Sequence, residues 1–228
     1  MSDKSKLWYL ENFNLFKSLS KEKLDALNII THMKEIPKSE PIYFAKAVSN
    51  AIFLLKKGRV KLTRTSADGK EMIMGLVNAG EVFGEMSIMD EGERTDFAIT
   101  MEPSLICAIS KEDFKNFLNE NPELNLKITK LIGFKLKKFS ERIEDLVFKD
   151  ATQRVISFLM NLANENGKII GTEIFVKPFL THQDIAELTA CSRQTVNAIL
   201  TDLREKELIT FDRRKLIIYN SEELKKLA

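Results

Sequence analysis

The chemistry most legible in this chain lies near its C-terminus, where residues 181–204 read THQDIAELTACSRQTVNAILTDLR. Val196, Ile199, Leu200 and Leu203 recur at helical spacing, which turns Ser192, Arg193, Gln194, Thr195 and Asn197 into the polar start of a second short helix. A guanidinium can fork onto O6 and N7 of guanine, and a carboxamide onto N6 and N7 of adenine. Arg193 and Gln194 are therefore suited to reading base edges in a major groove. The N-terminus of that helix also favours a phosphate. Further on, Arg213, Arg214 and Lys215 fall between two apolar runs, 207–211 and 216–219. This predicts a hairpin with a cationic tip, a wing lying on the phosphate backbone and adding affinity without base preference. The alternative is a helix pair packed inside an unrelated domain, with Arg193 merely solvated. The adjoining basic hairpin argues against it.

Other chemistries are thinly supplied. There are two cysteines, Cys107 and Cys191, and two histidines, His32 and His182. They cannot build a disulfide framework or a metal cluster, so no metal is expected and both cysteines read as packing residues. No cysteine precedes residue 107, which argues against an iron–sulfur sensor. His32 is expected to end a helix and His182 to lie solvated on the helix pair, so haem ligation is not expected. No phosphate-binding loop, dinucleotide fingerprint or Ser/His/Asp set is present, and the chain is not expected to be an enzyme.

The elements that must carry these residues follow from periodicity and punctuation. The opening segment to about Thr31 reads as helical, with Leu15, Leu19, Leu24, Leu27 and Ile30 on one face and Ser20 as an N-cap. From Met33 to Ile109, short apolar runs alternate with turn signals, Asp68-Gly69 the strongest, which predicts a small β-barrel or jelly roll. Helix returns at Lys111–Asn121. Asn121-Pro122-Glu123 then opens a long helix to about Phe148. Along it Ile132, Leu136, Phe139, Ile143 and Leu146 step by four, three, four, three, a heptad seam. Two readings stay open: a helix packed on its own barrel, or a two-stranded coiled coil joining two subunits. A new unit begins at Lys149-Asp150, and residues 164–168 read as a turn. Thr181 with Asp184 predicts a capped helix, Thr189-Ala190-Cys191 a break, and Ser192 the next cap. The expected fold is α+β: an N-terminal β-roll, a long dimerisation helix and a C-terminal winged helix-turn-helix. The expected divisions are 1–121, 122–149 and 150–228.

Bulk numbers agree with a globular protein but do not by themselves point to DNA. The 228 residues are 44% hydrophobic and 30% charged, with a formal net charge of +2 and an isoelectric point near 8.4. That is too weakly basic to identify a nucleic-acid binder from charge alone. No apolar run is long enough for a membrane helix, and the N-terminus lacks the pattern of a signal peptide. With so few cysteines, a reduced cytoplasmic setting is expected.

In this order of parts the chain resembles the cyclic-AMP receptor protein and FNR family of bacterial regulators. Two stretches carry the resemblance: Phe83-Gly84-Glu85-Met86-Ser87-Ile88 with Arg94-Thr95, similar to the family's phosphate-binding cassette, and Ile185 to Leu200, similar to its DNA-recognition unit. The resemblance implies that Gly84, Glu85 and Met86 begin a short helix offering backbone N–H groups to a phosphate. It also implies that Arg94 neutralises the phosphate, Thr95 adds a hydroxyl and Glu85 accepts from a ribose hydroxyl. The alternative is that Glu85 and Arg94 pair with each other in an empty or repurposed pocket. Phe139 and Ser140 match two positions that contact the base in cyclic-AMP-responsive members; Ser140 fits and Phe139 departs. Asp96 stands where a small apolar residue is usual, and a carboxylate repels phosphate. Ala190 replaces a common turn glycine. Gln194 and Ala198 replace an acid and a second arginine, which implies a different operator. The implied function is a homodimeric, sequence-specific regulator of transcription that binds double-stranded DNA through Thr181, Ser192, Arg193, Gln194, Thr195, Asn197 and the wing, with RNA polymerase as partner. A small effector in the β-roll, for which the resemblance offers a cyclic nucleotide such as cyclic AMP, would control it through a hinge near Phe148-Lys149-Asp150. The alternatives are a regulator of the same fold with another effector or none, and a nucleotide-binding module without DNA function.

Overall fold

A computed structural model describes residues 15–89 and 92–227, except the side chains of Ser87 and Met89. The chain forms two compact units, Met1–Lys135 and Leu136–Ala228.

In the first unit, helix α1 (Lys21–Ile29) precedes β1 (Thr31–Ile36), β2 (Pro41–Tyr43), β3 (Ala51–Lys57), β4 (Arg59–Thr65), β5 (Glu71–Asn78) and β6 (Val82–Phe83). The short helix α2 (Met86–Met89), β7 (Phe97–Thr100), β8 (Ser104–Ser110) and α3 (Lys111–Glu120) follow. The strands make two antiparallel sheets in the orders β1-β8-β3-β6 and β2-β7-β4-β5. The Asp68-Gly69 turn joins β4 to β5, as its sequence predicts. Strand β3 shows why a run such as AIFLL is continuous rather than alternating. Phe53 and Leu55 face a core with Ile36, Tyr43, Val60, Val77, Phe83, Ala98 and Ile106. Ile52 and Leu54 face a second core with Leu24, Leu27, Cys107, Ile109, Phe114, Phe117, Leu124 and Ile128. A strand buried on both faces has no polar side to display. Each such side chain contributes about 1.5–3 kcal/mol.

Two expectations for the N-terminal segment need correction. Residues 1–14 lie outside the described residues, and Leu15 and Leu19 precede the helix instead of joining it. Ser20 is the N-cap, its hydroxyl accepting from the Lys23 N–H at 3.4 Å. His32 does not end a helix: it is the second residue of β1, opposite Ala108. The β-branched Thr31 starts the strand, opposite Ile109, and its buried hydroxyl donates back to the Leu27 carbonyl.

Helix α4 (Glu123–Phe148) carries the seam, and the boundary between the two units falls within it. The second unit continues with α5 (Ala151–Asn166), β9 (Gly167–Ile170), β10 (Glu173–Val176), α6 (His182–Thr189), α7 (Arg193–Glu205), β11 (Ile209–Phe211), β12 (Leu216–Ile218) and α8 (Ser221–Lys226). Its antiparallel sheet runs β11-β12-β10-β9. Asp150 and Gln153 form a capping box at the start of α5, whose Val155, Ile156, Leu159 and Met160 are buried. The expected turn at 164–168 is not there: α5 runs on to Asn166 and the chain enters β9 directly. Asn164-Glu165-Asn166 is polar because it is the solvent-facing last turn, where Glu165 pairs with Lys138 at 2.6 Å. Gly167 is required sterically, since a Cβ there would stand 2.2 Å from the Ala163 carbonyl oxygen and 2.5 Å from Ile174 Cγ2.

Candidate nucleic-acid interface and effector pocket

Two short helices and a hairpin build the first site. Thr181 caps α6: its hydroxyl accepts from the Asp184 N–H at 3.1 Å and donates to Asp184 Oδ2 at 2.5 Å. Asp184 in turn accepts from the Thr181 N–H at 3.2 Å. Ser192 caps α7 in the same way, accepting from the Thr195 N–H at 3.0 Å with the two hydroxyls 2.8 Å apart. The hydroxyls of Thr181, Ser192 and Thr195 are thus engaged in shaping the helix starts. Between the helices Ala190, which stands where the resemblance has a common turn glycine, sits in the left-handed region, φ 53° and ψ 44°. Such a conformation costs an alanine on the order of 1 kcal/mol.

Val196, Ile199, Leu200 and Leu203 hold α7 against the core. Arg193, Gln194 and Asn197 lie exposed on its outer face, and no hydrogen bond or ion pair among the described residues engages their side chains. An exposed first turn free to take external partners is what base reading requires. The wing is present as β11–β12, paired Ile209↔Ile218 and Phe211↔Leu216. Arg213 and Arg214 are exposed at its tip and Lys215 is half-buried. Asp212 Oδ1 accepts from the N–H groups of Arg214 (2.7 Å) and Lys215 (3.0 Å), and these bonds hold its pKa below the usual carboxylate value. The wing's base is fixed to the helix pair through Phe211. His182 meets that ring edge-on at 5.5 Å and Arg204 lies over it at 5.3 Å. His182 therefore has a packing partner in place of the fully solvated position expected for it.

Arg154 is a residue that periodicity gave no reason to single out. From α5 it donates to the Thr189 carbonyl (2.9 Å) and the Lys149 carbonyl (2.8 Å), and it lies 3.7 Å from Cys191 Sγ. One guanidinium so ties the α4–α5 junction to the turn between α6 and α7. Lys149 is held further by Asp145 at 2.9 Å and Ser157 at 2.6 Å.

The cassette residues gather in the first unit. Gly84 has φ +72°, and a Cβ there would meet Arg94 Nη1 at 3.0 Å and Phe53 Cδ2 at 3.1 Å. Only glycine lets the backbone approach so closely. Arg94 is 7% exposed. Its Nη2 donates to the Ala51 carbonyl at 2.6 Å, and its guanidinium lies 4.0 Å over the Tyr43 ring. Beneath it Tyr43, Phe53 and Phe83 stack, with centroids 5.2–6.3 Å apart. Glu85 and Arg94 do not pair with each other. Glu85 takes Lys135 at 2.7 Å, whereas Arg94 makes no salt bridge among the described residues. Thr95 accepts from Arg64 at 2.7 Å, and Met86 is exposed. Asp96 Oδ2 accepts from the Tyr43 hydroxyl at 3.3 Å. Burial raises the Asp96 pKa, against the opposing effects of the Tyr43 bond and the Arg64 and Arg94 charges. Burial likewise raises that of Tyr43, reinforced by the Asp96 charge. Phe139 and Ser140 are exposed and belong to the second unit. Of the seam, Ile132 packs against the second core of the first unit, while Leu136, Phe139, Ile143 and Leu146 are exposed.

A β-roll with an anion-type cassette, a long helix with an apolar row and a capped helix pair with a basic-tipped wing together define an effector-controlled DNA-binding regulator. Residues 33–121 match the cyclic nucleotide-binding domain profile and residues 153–227 the Crp-like helix-turn-helix domain profile. The chain is 26% identical over 219 residues to a CRP-like cAMP-activated global transcriptional regulator of Mycobacterium tuberculosis, covering 96% of this chain and 98% of that protein. It is 29% identical over 195 residues to a cyclic AMP receptor protein of Thermus thermophilus, covering 86% and 87%. Among solved structures, a mutant of CooA from Carboxydothermus hydrogenoformans superposes with a TM-score of 0.81 at 26% identity, covering 95% and 96%. The chain belongs to the cyclic-AMP receptor protein/FNR family of transcription regulators.

Proposed function

We propose that this regulator acts in the cytoplasm as a homodimer, is switched by a cyclic nucleotide in its β-roll, and works on double-stranded DNA together with RNA polymerase. The functional divisions are a sensor (1–121), a dimerisation helix and hinge (122–149) and a DNA-binding part (150–228). Arg193 and Gln194 read base edges with Asn197 beside them; Arg213, Arg214 and Lys215 hold phosphate; Thr181, Ser192 and Thr195 shape the helix starts that face the duplex. No catalytic role is assigned, since its relatives are transcription regulators.

One observation carries the effector reading. Arg94 is a buried cation that makes no salt bridge among the described residues, with only the charge of the half-buried Asp96 acting on it, and it stands beside Gly84, where the backbone comes close to its guanidinium. A desolvated guanidinium is costly unless an anion pairs with it, and a cyclic phosphate supplies that anion with fork geometry. Gly84, Glu85, Met86 and Thr95 are the further proposed contacts to the nucleotide. The nucleotide shifts the regulator toward the DNA-competent state only insofar as it binds that state more tightly.

The test is calorimetric titration of the purified protein with cyclic AMP, cyclic GMP and cyclic di-GMP, followed by selection from a random DNA pool with and without the nucleotide that binds. One nucleotide is expected to bind, to lose its binding in Arg94→Ala, and to sharpen the enriched sequence. Failure of all three to bind would overturn the effector reading; failure to enrich any sequence would overturn the proposed base contacts.

A further inference from the structure

Lys177 and Asp212 belong to none of the contacts proposed above, yet the sheet register brings both to the wing tip. β10 pairs with β12 as Phe175↔Ile217 and Val176↔Leu216. Lys177 directly follows β10 and Lys215 directly precedes β12, so the two flank the same end of this strand pair, and both charges act on Asp212. Val176 is buried and Lys177, just past the end of the strand, is exposed. Cations gathered at one place repel one another, and the single Asp212 carboxylate offsets only part of their charge. Here four cations, Lys177, Arg213, Arg214 and Lys215, converge, and none makes a salt bridge among the described residues.

The single carboxylate in the cluster faces the backbone. Asp212 Oδ1 takes the N–H groups of Arg214 and Lys215, and the Asp212 N–H closes the turn on the Lys215 carbonyl at 2.9 Å. The Phe179 N–H then donates to the Arg214 carbonyl at 3.1 Å, binding the 177–179 segment to the tip. A tip fixed in this way loses little freedom when it meets a phosphate.

We infer that Lys177 is a further phosphate-contacting residue of the DNA interface, and that Asp212 is the positioning residue that shapes the wing tip for the backbone despite carrying the same charge as DNA. This rests on the proposed role of the wing in DNA binding. The two contributions of Asp212 have opposite signs. Its charge repels phosphate, while its acceptor oxygen organises the turn. The amide of Asp212→Asn keeps the acceptor and drops the charge; Asp212→Ala drops both.

The experiment is fluorescence anisotropy of the full chain with a duplex of arbitrary sequence across a range of salt, with and without cyclic AMP. Lys177→Gln should flatten the slope of log affinity against log salt by about 0.9 per subunit bound. Asp212→Ala should weaken binding about five-fold, the net of losing the two organising hydrogen bonds its oxygen accepts and of removing its charge from the phosphates, whereas Asp212→Asn should bind as well as the wild type or more tightly. A slope unchanged in Lys177→Gln removes Lys177 from the interface. Asp212→Ala binding at least as tightly as Asp212→Asn removes the positioning role, since charge alone would then account for the residue. If the wild-type chain binds no duplex in any condition, the wing reading and this inference fall together; if it binds with a salt slope that Lys177→Gln leaves intact, only the inference falls.

Discussion

Arg193 and Arg213 carry the same charge and are both exposed, but they stand on different elements and should fail differently. Arg193 opens α7, where a forked contact to guanine discriminates by about 1–3 kcal/mol. Arg193→Ala should therefore lose that much affinity for the selected operator and relax one position in it, while Arg213→Ala should weaken all sequences alike and lower the salt slope. Base preferences from a second round of selection check this; an Arg193→Ala profile matching the wild type would remove it from base reading. In the sensor, Asp96 supplies a pH signature. Its pKa lies above the ordinary 3.8 because burial penalises the ionised form. A raised folded pKa means that the residue's contribution to stability is fully present below the ordinary value and is lost as pH rises through the raised one. Asp96→Asn keeps an acceptor for the Tyr43 hydroxyl and removes the titration. Its melting temperature should exceed that of the wild type at pH 7, and the gap should close towards pH 4. A gap independent of pH would mean that Asp96 titrates as it does in the unfolded chain.

The helix pair shows how caps and strain divide the work of a turn. Thr181 and Ser192 each satisfy an otherwise unpaired N–H at a helix start, worth about 1 kcal/mol apiece. Ala190 offsets part of that gain by holding φ at 53°. It is exposed, so nothing packs on its Cβ. Ala190→Gly should stabilise the second unit by on the order of 1 kcal/mol, less the added entropy of the unfolded chain. Chemical denaturation monitored by circular dichroism reads this directly. Destabilisation would show that the alanine methyl does more for the turn than its backbone angle costs.

For the whole molecule the deciding surface is the C-terminal part of α4. Leu136 and Ile143 are 69% and 61% exposed, and Phe139 and Leu146 each 41%. Apolar side chains repeating at heptad spacing and left in water call for a partner surface, and a second copy of the same helix supplies a matching one. Phe139→Asp should convert the proposed dimer to monomer, and with it lower DNA affinity, because two linked recognition helices bind with far higher effective concentration than one. Light scattering and anisotropy together check this; unchanged mass with unchanged affinity would refute the seam as the interface.

The sequence alone determined the elements whose signals are local. Caps at Thr181 and Ser192, the basic wing, the Asp68-Gly69 hairpin and the long helix all follow from residue type and spacing over a few positions, whereas the left-handed angle of Ala190 was visible only as a position where relatives often carry glycine. It misplaced the end of α5 and the start of β1, because polar residues in an exposed last helical turn look like a loop and a β-branched residue after a helix can extend it or begin a strand. Only the tertiary structure decided the pairings between residues distant in sequence. It gave Glu85 to Lys135 and left Arg94 on the Tyr43 ring, it bound Thr189 to Arg154, and it brought the charges of Lys177 and Lys215 onto Asp212. A charged side chain has several candidate partners along a chain, and which one it meets depends on how sheets and helices stack, which no local pattern encodes.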